Sequence, residues 1–141
     1  MKDPSGAIYD AFITKLSALT YGGKTVPVYR SLSEVNKGDY VLLDYLEFTD
    51  DIDSSSFDSN CTMRIEILCG PYWQQGYNSK VFAISSSLMQ LVVKQPIIVT
   101  GFTVDVTPSI SSSRNYEMRD QEEKGIYKIK EIILKFHVEE N

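Results

Sequence analysis

Residues 61–68 alternate strictly, with Met63, Ile65 and Ile67 on one side and Thr62, Arg64 and Glu66 on the other. A period of two over that length predicts a β-strand with one face on a core and the other facing water or a neighbouring subunit. A chain built around such a strand needs an apolar layer for one face only. Two segments can provide it. Ile8, Phe12, Leu16 and Leu19 recur at steps of four, four and three behind Pro4, Ser5 and Gly6, which predicts a helix over 5–19. Gly22 and Gly23 then supply the left-handed stop expected beyond its end. Asn78 or Ser79 can cap a second helix over 80–93, with Val81, Ile84, Leu88, Leu91 and Val92 as its apolar stripe.

The remaining strands are read from the same period. Residues 25–29 alternate, but Pro27 lacks a ladder donor, so this strand is short or lies on an edge. A turn at Asn36, Lys37, Gly38 and Asp39 opens a strand over 40–49, in which Val41, Leu43, Tyr45 and Glu47 share a face while Tyr40, Leu42 and Asp44 occupy the other. Both faces there are expected to be partly covered. Phe102, Val104 and Val106 point inward from a strand over 100–106. Ile132, Leu134, Phe136 and Val138 do so from a long final strand over 126–138. Lys128 and Lys130 share that apolar side, so the first half of the last strand is expected to leave the core or carry a bulge. Residues 50–60 and 107–125 read as long loops, and 70–78 as an aromatic connector. The expectation is an α+β domain over 1–141 in two layers: an antiparallel sheet of about four main strands with two helices on one face.

Charge and chemistry narrow the function. Between Lys37 and Arg64 stand seven acidic residues (Asp39, Asp44, Glu47, Asp50, Asp51, Asp53 and Asp58) and no basic one, more than the chain's whole net charge of -5. Such an edge repels phosphate and suits a non-stick surface or a basic partner. The lysines near the last strand are matched by Glu122, Glu123, Glu131 and Glu139, so no basic patch for nucleic acid is expected. Tyr72, Trp73 and Tyr77 lack surrounding cations and read as a cap on the core or an interface anchor. His137 is the only histidine and stands on the terminal strand, where a surface role is expected rather than a catalytic base.

No zinc-ligand spacing, phosphate loop or dinucleotide fingerprint is present, and the run 51–55 lacks the turn glycine and closing glutamate of a calcium loop. No cofactor, metal or catalytic residue is therefore expected. Cys61 and Cys69 lie eight residues apart along one strand, too far to pair, and share parity with Met63, as buried thiols would. The N-terminal residues do not read as a secretory signal and no apolar run is long enough to span a bilayer, so a protein made in a cytoplasm and kept off membranes is expected.

The order of these segments resembles the tail-terminator, or tail-completion, proteins of tailed bacteriophages. The resemblance runs over nearly the whole chain: the helix through Ala7, Ile8, Tyr9, Phe12 and Leu16; the short strand ending in Val28 and Tyr29; Asp39-Tyr40-Val41-Leu42-Leu43; the outward-polar strand at 63–68; the helix at 81–93; Gly101-Phe102-Thr103-Val104; and the closing strand at 127–138. It implies a structural virion subunit, made in the bacterial host cytoplasm, that assembles into a ring in the tail or neck. That ring would join the tail to the capsid connector and let DNA pass without specific binding, with connector, neck and tail proteins as neighbours. Interface or lumen candidates are Asp50, Asp51, Asp53, Asp58, Arg64, Glu66, Trp73, Arg114, Arg119, Glu122, Glu123, Lys128 and Lys130. Two other readings compete: a monomeric protein-binding adaptor with an acidic surface, and a small carboxylate-based enzyme.

Overall fold

Helix α1 (Ser5–Leu16) begins where Asp3 Oδ1 accepts hydrogen bonds from the Ser5 amide at 2.9 Å and the Ser5 hydroxyl at 2.6 Å. These two bonds hold the Asp3 carboxyl below its usual range. The computed structural model describes residues 2–31, 38–49, 56–72, 79–93, 95–119 and 125–141, with the backbone alone at 71, 72, 105, 106 and 119. The helix stops three residues short of the expected Leu19, because the Ser17 amide and hydroxyl both turn back to the Thr14 carbonyl. Leu19 is nevertheless fully buried.

Gly22 and Gly23, at φ 59° and 79°, do not simply end the helix. They form the tip of a small antiparallel hairpin between β1 (Thr20–Tyr21) and β2 (Lys24–Thr25), whose two-residue turn needs positive φ at both positions. Pro27 breaks the expected 25–29 strand in two. After it, β3 (Val28–Tyr29) runs parallel to β4 (Tyr40–Phe48), and the Pro27 carbonyl accepts from the Val41 amide at 2.9 Å.

The main sheet continues with β5 (Asp58–Tyr72), then, after helix α2 (Ser79–Val92), with β6 (Phe102–Arg119) and β7 (Ile126–Glu140). Its strand order is β3-β4-β5-β7-β6, antiparallel throughout except for the β3–β4 pair. Both helices lie on one face. Ile8, Phe12 and Leu16 of α1 and Val81, Ile84, Leu88 and Val92 of α2 join Met63, Ile65, Ile67, Ile132, Leu134 and Val138 in one buried cluster, which also takes in both cysteines. Burial pushes the Cys69 thiol up to about 12, with the nearby Asp39 carboxylate adding to the effect. The α+β, two-layer expectation is met.

Four expectations are corrected. Most of the proposed 107–125 loop is strand, since β6 pairs with β7 as far as Arg119. As an outermost strand it is exposed on both faces over much of its length, so polar residues such as Ser111, Ser112 and Ser113 leave no apolar alternation to read. Likewise the 50–60 loop gives up residues 58–60 to β5, which is central and nearly twice its expected length. In β4, Asp44 is an extra residue between Leu43↔Ile65 and Tyr45↔Arg64, so the parity flips there. Leu46 and Phe48 pack toward the core instead of Tyr45 and Glu47. Finally, the start of β7 does not leave the core: Lys128 is 1 % exposed, with its ammonium paired to Glu117 across the β6–β7 ladder. The irregularity lies in the partner strand, between Cys69 and Tyr72 of β5.

Candidate functional site: the open face of the sheet

Opposite the helices the sheet presents a charged surface, which the strand registers assemble from four strands. Glu66 of β5 stands directly across from Glu131 of β7, which stands across from Arg114 of β6. Arg64, one step along β5 on the same face, holds the carboxylates together. Its Nη2 lies 2.9 Å from Glu66 Oε1, and its Nε lies 3.5 Å from Asp44 Oδ2 of β4. The Nε is buried and also lies 2.9 Å from Glu131 Oε2, in a direction that makes an ion pair but no hydrogen bond. Arg114 grips Glu131 with two nitrogens, at 3.1 and 3.3 Å, and lies over the Tyr116 ring at 4.9 Å. The Tyr116 hydroxyl donates to Glu66 Oε2 at 3.1 Å.

Two arginines thus hold three carboxylates in an array open to solvent along one side. Burial raises the Glu66 carboxyl above its ordinary value, while the Tyr116 hydroxyl and Arg64 pull the other way. Burial opposes the charge on Arg64, but Glu66, Glu131 and Asp44 together hold the guanidinium above its usual value.

Of the residues singled out in the sequence, Arg64, Glu66 and Arg114 come together here. Lys128 and Lys130 do not: they oppose Cys69 and Ile67, on the helix side. Asp58 sits at the far end of β5, its Oδ1 2.6 Å from His137 Nε2. Arg119 ends β6 opposite Ile126. Asp50, Asp51, Asp53, Trp73, Glu122 and Glu123 lie outside the described residues. The sequence reading did not single out Glu131 or Tyr116, nor Asp44 for this face. Only cross-strand register joins them to Arg64, and no spacing along the chain signals it.

His137 lies at the far end of the sheet, its Nδ1 3.1 Å from Asn60 Oδ1 and its Nε2 2.6 Å from Asp58 Oδ1. Among the described residues no group of three or more His, Cys, Asp or Glu is arranged to hold a metal ion, and no helix is long and apolar enough to cross a membrane.

No protein-family model and no curated protein matches the sequence. The fold is similar to that of a chain in a solved structure described as the virion of a native gene transfer agent particle. The TM-score is 0.71 at 15% identity, over 99% of this chain and 99% of that one. At that identity the likeness concerns the fold.

Proposed function

We propose that the chain is a structural virion subunit of the tail-terminator or neck type, acting as one domain that assembles into a homo-oligomeric ring joining tail to capsid connector. The observation that carries the reading is the end-to-end fold likeness to a chain of a virion particle, with almost nothing left over on either side. It agrees with the resemblance seen in the order of elements. It also suits a chain whose elaborated feature is a charged sheet face rather than a pocket with a poised base. In this reading the chain carries no cofactor and no active site, and works through surfaces that meet copies of itself and adjoining connector and tail proteins.

The net charge of -5 suits a ring through which DNA slides, because lysine contacts to phosphate would hold the DNA in place. Asp50, Asp51, Asp53, Glu122 and Glu123 are the proposed lumen or ring-to-ring residues. Native mass measurement and negative-stain imaging of the purified chain test the ring. A closed ring supports it, whereas a monomer at every concentration favours the adaptor reading. Reversing Asp50, Asp51 and Asp53 to lysine is expected to leave the monomer folded and to lower the yield of infective particles at least tenfold. Unchanged yield would remove that loop from the lumen.

A further inference from the structure

The main sheet has two open edges, and they differ. At one end β6 hydrogen-bonds to β7 alone among the described residues. At the other end β3 covers β4 only at Val41 and Leu42, so residues 43–48 face outward with no strand beyond them among the described residues. Exposed strand edges invite pairing with other chains and are usually blunted by proline, bulges or lysine. The first half of β6 carries such devices: Pro108 and register breaks at 104/106, 106/109 and 110/112. Its second half, residues 112–119, runs in unbroken register with no proline and no lysine.

Three further observations match the two edges to each other. First, charge is complementary. Residues 43–48 carry Asp44 and Glu47 and no cation, while residues 112–119 carry Arg114 and Arg119 against the single Glu117. Asp44 pairs with Arg64, and Arg114 with Glu131, so both stand on the open face. Second, large apolar side chains are left exposed at both edges, Tyr45 at 44% on β4 and Met118 at 50% on β6. Third, the strand directions fit. β4, β5, β7 and β6 alternate, so a second copy in the same orientation brings its β4 alongside β6 antiparallel, with helices still on one side.

We infer that residues 112–119 of β6 pair with residues 43–48 of β4 in the next copy of this chain, joining successive subunits through a continuous antiparallel sheet. The contact is heterologous, one edge meeting a different edge, which closes into a ring or continues as a filament according to the rotation per step. The inference rests on the ring reading above and names its seam.

Disulfide trapping in the full chain tests it. Tyr45→Cys is combined in turn with Ser112→Cys, Arg114→Cys, Tyr116→Cys and Met118→Cys, the four β6 positions on the same face. The native Cys61 and Cys69 are buried and stay silent. In oxidised samples one or two neighbouring combinations are expected to give a ladder of covalent multimers, at least tenfold above every single variant. Dimers from a β6 single variant alone would mean that two β6 edges pair with each other, and would overturn the heterologous seam. A ring by native mass with no ladder from any combination also overturns the seam and leaves the ring standing. A monomer at every concentration removes both.

Discussion

The two faces of one sheet are held by different physics. On the helix side Ile8, Phe12, Leu16, Ile84, Leu88, Met63, Ile65 and Ile132 are all fully buried, so a single copy completes that layer by itself. On the open side Leu42, Leu68 and Ile129 are buried at one end, and beside them Arg64, Arg114 and three carboxylates are held at distances of 2.9 to 3.5 Å, partly in water. Packing of the first kind accounts for the stability of the monomer. The second kind costs desolvation and returns little net stability in an exposed setting, so its worth lies in giving the face a defined charge pattern.

The most forceful way to break this contrast is to cut into the covered side. Ile84→Ala should destabilise the fold by about 2–5 kcal/mol in urea unfolding, since α2 loses its central contact and leaves a cavity. A loss below about 1 kcal/mol would mean that α2 is not the lid the structure shows. Next in size is Gly70→Ala, at the irregularity in β5. There φ is +144°, and a Cβ would stand 2.8 Å from the Ile126 carbonyl oxygen and 3.2 Å from the Tyr127 Cα. Both contacts are backbone and cannot step aside, so a loss of about 1–3 kcal/mol is expected.

On the open side the effects should be smaller. Arg64→Met leaves Glu66 opposite Glu131 with only Arg114 to offset them, and is expected to cost about 1–2 kcal/mol at neutral pH, discounted for solvent on that side. A loss equal to that of Ile84→Ala would make this face as structural as the core. The subtlest test is one of slope. Because burial raises the Glu66 carboxyl above its ordinary 4.5, the folded chain binds that proton more tightly than the unfolded chain does. Its contribution is therefore fullest below 4.5 and is lost as pH rises through the raised folded value. Glu66→Gln removes the titration, so unfolding curves should show the parent chain losing ground to the variant over that window. A flat difference would show that Arg64 and Tyr116 balance the burial, and a difference of opposite slope that they outweigh it.

The covered side was legible in the residue order, and of the open side only the outward run of Thr62, Arg64 and Glu66 was. Ile8, Phe12 and Leu16 at helical steps, and Met63, Ile65 and Ile67 at alternate positions, declare their faces because burial demands a period. β6 could not be read that way: an outermost strand with both faces wet needs no apolar period, and its serines resemble a loop until β7 supplies the hydrogen bonds. The Asp44 bulge escaped for a related reason. One inserted residue leaves the local pattern of β4 plausible in either parity, and only pairing with β5 chooses. Lys128 was misread because a lysine on an apolar side suggests exposure, whereas Glu117 on the neighbouring strand pairs with it there.

By itself the residue order determined two amphipathic helices, a half-buried central strand and an acidic, histidine-poor chain, since each of these is a property of neighbours along the backbone. Which carboxylates meet which arginines, and which strand edges remain open, was decided only in three dimensions. Register between strands far apart in the chain sets both, and it answers to the sum of the packing rather than to any local signal.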